Sequence, residues 1–382
     1  MEKLSQYVRR VGQNNWENRP AGELDFAAFS QIVYLPLNMA LKSDEPMSLQ
    51  EIAFCMADLK VDNPFSIYYR KRLELLREMA QHPRYGEIML GNYVHDVRAE
   101  DEKQFCAITI TLPGDIKVLC FEGTDLSLAG WKEDFNMSFE SPVPAQQDAC
   151  DYLTRIAGQD ETCSLILLGH SKGGNLAIYA GTFAQDTVQK RIQAIYSFDS
   201  PGLMDKDAQS AGYQAISGCI QAFLPQNSLV GVLMCRHDPS IIVKSSAFGV
   251  FQHDLFSWKI NEDDTCFIRA DELTNTAQLR DEVLSDWLAD VSLDEREKFS
   301  DAVYQVLSAD ESREHVGDLI RFNYQAASRS LKALQDIDPT TRKMIRRLLR
   351  ALFSETVETV VEAAKDAVKD IGNKVRDKFT QS

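Results

Sequence analysis

At 382 residues, with 44% hydrophobic and 26% charged side chains, 19 Gly and 12 Pro, the chain has an ordinary globular composition, which excludes wholesale disorder or a fibrous repeat. Its 57 acidic against 41 basic side chains give a formal charge of -16, which opposes general attraction to nucleic acid and removes that class of partner. The eight cysteines (55, 106, 120, 150, 163, 219, 235 and 266) form no CxxC pair, so they read as buried free thiols in a reducing compartment. Residues 1–20 are polar and no stretch approaches about 18 uninterrupted apolar residues, so the expected location is the cytoplasm.

Residues 25–80 read as helical. Asp25 to Leu41 carries spaced apolar residues, Ser48 with Glu51 makes a capping-box pattern, and Asn63-Pro64 supplies a cap and an N1 proline. After Pro83 the texture turns to β-rich runs at 88–97, 105–112 and 116–121, the last two separated by the turn signal Pro113-Gly114-Asp115. From 146 helix and strand alternate: helix 146–157, strand 164–168, helix 172–184, strands 192–198 and 219–224, a helix near 227–234, and strand 240–244. Such alternation predicts a mostly parallel sheet with helices on both faces. Leu165-Ile166-Leu167-Leu168 suits a central strand buried on both sides.

Beyond about residue 270 helical signals take over, with Ser292 and Glu295 as a capping box and Asp338-Pro339 as a cap and N1 proline. Val357, Val361, Ala364, Val368, Ile371, Val375 and Phe379 form a seam at spacings of three or four, and a basic amphipathic stretch runs over 342–353. Packing on the rest of the chain, self-association through the seam and peripheral contact with an anionic membrane all fit this tail, with packing or self-association ranked first.

Chemistry concentrates in Gly169-His170-Ser171-Lys172-Gly173-Gly174. A serine hydroxyl attacks well only when a base takes its proton and N–H groups receive the developing oxyanion. A sharp strand-to-helix turn with small flanking residues presents it that way, and the strand before and helix after are both legible here. The bare G-x-S-x-G pattern would arise by chance in roughly one chain of this length in ten, so its context does the discriminating. A tight glycine turn with Ser171 as a mere helix cap is the plainer alternative.

Phe121-Glu122-Gly123-Thr124-Asp125, Gly130-Trp131-Lys132-Glu133-Asp134-Phe135 and the serine motif together resemble the class 3 (fungal-type) lipase-like α/β-hydrolases. With Phe198-Asp199-Ser200-Pro201-Gly202-Leu203 and Gln252-His253-Asp254-Leu255-Phe256-Ser257-Trp258 added, residues 20–260 are similar to a bacterial lipase-like group known as a domain of unknown function. The resemblance implies an α/β-hydrolase fold and leaves the tail after 270 unexplained; with the helical signals it gives an N-terminal helical segment (1–84) packed on a hydrolase core (85–262), then a C-terminal helical extension (270–382). It also implies an oxyanion hole from the backbone N–H groups of Thr124 and Lys172, although Thr124 also suits a turn cap. Lys172 would serve through its backbone, its side chain being solvated or surface-paired, or else favouring an anionic substrate.

Chain order in such hydrolases puts the histidine after the serine, leaving His237, His253 and His315. His253 lies where the family's base is expected, ahead of His237, and His315 falls in the helical tail. Asp199 closes the strand after the nucleophile helix and is the favoured acid; Asp238 is the runner-up, and Ser228 at the later strand position carries no charge. Leu126, Leu128, Trp131, Phe135, Met137 and Phe139 would line or cover an acyl site, or simply pack on the sheet. The expected function is an intracellular carboxylic-ester hydrolase acting on a small-molecule or lipid ester, with no metal or organic cofactor. A hydrolase-fold scaffold working through its helical tail is the competing class.

Overall fold

The computed structural model describes residues 3–43, 45–59, 67–98, 100–124, 132–134, 136–234, 239–275, 277–278 and 292–297. Eight strands form one sheet in sequential order: β1 (Met47–Ser48), β2 (Met89–Arg98), β3 (Lys103–Leu112), β4 (Ile116–Phe121), β5 (Ser164–His170), β6 (Ile192–Phe198), β7 (Ile220–Pro225) and β8 (Ser240–Val243). β1 to β4 pair antiparallel and β4 to β8 pair parallel. The parallel half holds the strand ends from which a βα loop can present chemistry.

Helices α1 (Lys3–Val11), α2 (Glu23–Ile32), α3 (Leu49–Cys55) and α4 (Ile67–Ala80) precede the long strands; α5 (Pro144–Gln159) and α6 (Lys172–Phe183) flank β5 in sequence. β5 shows why the apolar run is continuous: Ile166 and Leu168 join the apolar cluster of α1 to α4, whereas Leu165 and Leu167 join that of α5 and α6. Alternate side chains leave a strand on opposite faces, so a strand covered on both sides must be apolar throughout. The same division runs through β4, with Val118 and Cys120 on one side and Leu119 and Phe121 on the other. This is the α/β-hydrolase architecture, a mostly parallel sheet between two helical layers.

Polar ties fix the N-terminal helices to the rest. Arg84 donates to the buried Asp25 carboxylate at 2.9 Å, Tyr85 adds a hydroxyl at 2.7 Å, and the guanidinium lies 3.6 Å from the Trp16 ring centre. Glu23 accepts from the Phe267 N–H at 2.7 Å, joining α2 to a segment that bridges back to β8 through Val243 and Arg269. Ser48 and Glu51 form the expected capping box at the start of α3.

Four expectations need correction or restriction. Residues 226–234 form turns, not a helix, because Ser228 and Gly231 turn inward onto Asp199. The helix expected across 25–41 stops at Ile32 and resumes only as one 3-10 turn at Leu37–Met39, with Pro36 removing the N–H a continuous helix would need. Cys106, Cys120 and Cys163 are buried free thiols, but Cys55 is exposed and Cys150, Cys219 and Cys266 are half-buried. Of the tail calls, the Ser292–Glu295 capping box is present, whereas Asp338-Pro339, the basic stretch, the apolar seam and His315 lie outside the described residues. Among the described residues no helix is long and apolar enough to cross a membrane.

Candidate active site

Ser171 stands between the end of β5 and the start of α6 with φ 58° and ψ -134°, a backbone conformation that a side-chain-bearing residue rarely adopts. The turn holds because its neighbours lack side chains. A Cβ on Gly169 would sit 2.1 Å from the Gly173 carbonyl carbon, and one on Gly173 would sit 2.2 Å from the Phe121 carbonyl oxygen. The Ser171 N–H donates to the Phe198 carbonyl at 3.0 Å, tying the turn to the end of β6.

Lys172 departs from its expected place. Its ammonium is buried and donates to the Gln104 carbonyl at 2.8 Å, the Gln104 side-chain oxygen at 2.7 Å and Glu133 at 2.8 Å. Glu133 also accepts from the Ala145 N–H at 2.9 Å at the start of α5 and from the Gln104 N–H at 3.2 Å. The Lys172 charge is therefore neither solvated nor surface-paired; it pins the base of the turn to β3 and α5. No local signal announces this, because Gln104 and Glu133 lie 68 and 39 residues away in sequence.

Asp199 follows β6 with its carboxylate buried. One oxygen accepts from the Ser228 hydroxyl at 2.5 Å and the Gly231 N–H at 3.2 Å; the other lies 2.7 Å from His253 Nδ1. The carboxylate accepts, so Nδ1 is the donor, leaving Nε2 as the ring nitrogen not bound to Asp199. Ser228, set aside in the sequence for want of charge, acts instead as a donor to Asp199. His237 and Asp238 lie outside the described residues.

His253 sits on a 3-10 turn, Gly249–His253, whose position is set from outside. His170 Nε2 donates to the His253 carbonyl at 2.8 Å, and the two rings lie 4.4 Å apart. Gln252 accepts from the Asn227 N–H at 3.1 Å and the Trp258 indole at 2.8 Å, and Asp254 pairs with Lys71 at 2.9 Å. Burial foremost, then the neighbouring His253, holds the His170 pKa well below the ordinary 6.5, so the ring is neutral. With its proton on Nε2, its Nδ1 is an acceptor for the Tyr34 hydroxyl at 3.1 Å. Neither His170 nor Tyr34 is among the site residues the sequence points to. The first fills the free position of the serine motif, and the second lies 136 residues from its partner.

Thr124 follows β4 beside Gly123, and its hydroxyl donates to Asp134. A Cβ on Gly123 would come 3.0 Å from Ser171 Cβ, so this loop passes directly over the serine. The structure thus brings Ser171, Lys172, Asp199, His253 and the Gly123-Thr124 loop to one end of the parallel strands. A Ser171–His253 hydrogen bond is not among the described contacts; such bonds commonly tighten only once substrate binds. Met137 is buried, while Leu126, Leu128, Trp131 and Phe135 lie outside the described residues. Among the described residues no group of three or more His, Cys, Asp or Glu is placed to hold a metal ion.

Comparison with solved structures finds a mutant form of MDLA from Penicillium cyclopium (14% identity, TM-score 0.38, covering 65% of this chain and 85% of that one). It also finds a fungal lipase (13%, TM-score 0.37, 64% and 84%) and Lip2 lipase from Yarrowia lipolytica (11%, TM-score 0.31, 48% and 71%). No curated protein matches the sequence. A family model described as Mbeg1-like matches residues 79–305, which contain the serine turn, the Asp199 strand end and the His253 loop. That match spans more than half of the chain, and the protein belongs to the Mbeg1-like family.

Proposed function

We propose that the protein is a serine hydrolase that cleaves carboxylic esters through an acyl-enzyme. The observation carrying this reading is the 2.7 Å contact between His253 Nδ1 and buried Asp199, at the site where the backbone is forced into an unfavourable turn at Ser171. Strained backbone clusters at functional sites, and a carboxylate-oriented imidazole is what activates a serine nucleophile.

In this scheme Ser171 Oγ attacks the acyl carbon while its proton passes to His253 Nε2. The oxyanion accepts from the Thr124 and Lys172 N–H groups. Collapse breaks the bond to the alcohol oxygen, which leaves with the proton from His253. Water then attacks the acyl-enzyme, giving its proton to His253, and the acid departs as Ser171 regains a proton. Asp199 holds the imidazole tautomer and offsets the imidazolium charge that forms twice per turnover. No step calls on a metal or an organic cofactor, and the substrate is a small-molecule or lipid ester.

A panel of p-nitrophenyl esters, acylglycerols, lysophospholipids, acyl thioesters and peptides tests the reaction class. Hydrolysis of oxygen esters that disappears in Ser171→Ala supports the reading. Peptide or thioester cleavage alone, or activity that survives the substitution, contradicts it.

A further inference from the structure

A cation stands beside this site with its terminal amino groups uncommitted. Arg72, on α4, lies with its guanidinium 3.7 Å from the Tyr34 ring centre, and its Nε donates to Gln31 at 3.3 Å. The phenol links it to the serine turn. The Tyr34 hydroxyl lies 3.1 Å from His170 Nδ1 and 3.2 Å from the His170 carbonyl, and a Cβ on Gly123 would come 2.2 Å from that hydroxyl. Lys71, the preceding residue, holds Asp254 next to His253. Arg72 is thus packed between the wall of the nucleophile turn and the root of the histidine loop.

Its terminal amino groups donate to no described residue, and the residue is half-buried. Two carboxylates act on it without forming an ion pair: Asp254, which is engaged by Lys71 and the Phe256 N–H, and Glu122, which faces the Cys106 thiol. Burial lowers the Arg72 pKa, the mark of a cation that its surroundings compensate poorly. Stacking on a phenol leaves the edge of the guanidinium fork open, and that edge matches the paired oxygens of a carboxylate or phosphate.

We infer that Arg72 recognises an anionic group of the substrate, which makes the substrate an ester bearing a carboxylate or phosphate near its scissile carbonyl. The inference rests on the hydrolase reading above. It also departs from what net charge suggests: a chain of charge -16 repels anions at long range, so selection falls to this local cation.

Two matched substrate pairs test it: p-nitrophenyl butyrate against p-nitrophenyl hemisuccinate, and dihexanoylglycerol against dihexanoyl phosphatidic acid. The first pair places the anion on the acyl side as a carboxylate, the second on the alcohol side as a phosphate. In at least one pair the wild-type protein favours the anionic member, and Arg72→Gln lowers the anionic-to-neutral ratio of kcat/KM by about tenfold or more, as expected for a lost charged hydrogen bond. Arg72→Lys, which keeps the charge but not the fork, retains part of the ratio. A ratio unchanged in Arg72→Gln overturns the inference, because a purely structural loss of stacking on Tyr34 lowers both members together. Calorimetric titration of Ser171→Ala and Ser171→Ala/Arg72→Gln with hexyl phosphate gives a readout without turnover. Binding lost with Arg72 supports the assignment, and equal binding, or none to either, contradicts it. If no ester is hydrolysed, the hydrolase reading fails and the titration alone decides the role of Arg72.

Discussion

The serine turn and the histidine loop lie at the same end of the parallel strands but are held by opposite means. Ser171 is held by what adjoins it: two glycines that touch, a strand on one side, a helix on the other, and a buried Lys172–Glu133 pair beneath. His253 is held by what is remote, through partners 25 residues away at Asn227, 83 at His170 and 183 at Lys71 relative to the loop residues they bind. Phe248 and Phe251, on the loop itself, are 72% and 55% exposed, so apolar packing does little to hold it. In the proposed mechanism the strained serine turn has a stiff local frame, whereas the histidine is positioned by a few directed hydrogen bonds from several elements.

Breaking the histidine side at its charged anchor gives the largest effect. Asp199→Asn should lower kcat by about 10⁴-fold with the fold retained, because the imidazole loses the acceptor that fixes its tautomer. Steady-state kinetics alongside a thermal melt checks this. A loss of activity matched by a loss of structure would instead give Asp199 an architectural role.

Breaking the serine side gives the next largest effect, and it is a stability effect. Lys172→Met leaves Glu133 buried without its cation and should cost about 3–5 kcal/mol in urea unfolding. Adding Glu133→Gln to make a neutral pair should recover much of that loss, since the cost lies in the uncompensated charge.

The smallest expected effect sharpens the comparison. His170 belongs to the serine motif but serves the histidine loop, so His170→Gln should lower kcat by about tenfold with little change in KM. Its pH signature is separate. The native pKa of His170 lies below the ordinary 6.5, so the unfolded chain binds a proton that the native chain does not. Its contribution is fully present above pH 6.5 and is lost as pH falls towards the native value. The glutamine variant should show a flatter decline, read as urea midpoints on either side of that pH.

What the sequence discloses follows the same division. β5, the serine motif and α6 are contiguous, so apolar runs and glycine spacing expose them. Asp199 and His253 stand out as residues of the right type at strand ends, in an order imposed by topology. Tyr34, Ser228 and Arg72 carry no local pattern, and His170 sits in the serine motif without announcing its partners, because their meaning arises only when distant segments meet. The buried state of Lys172 is hidden for the same reason, and nothing in the sequence around Ser228 and Gly231 announces that the residues after β7 turn inward onto a carboxylate.

The most direct measurement is the mass shift of the folded protein on treatment with a fluorophosphonate. A single adduct on Ser171, absent in Ser171→Ala and formed far more slowly in His253→Ala, is the predicted result. No adduct on the folded wild-type protein, or an adduct on another residue, would contradict the assignment of Ser171 as nucleophile.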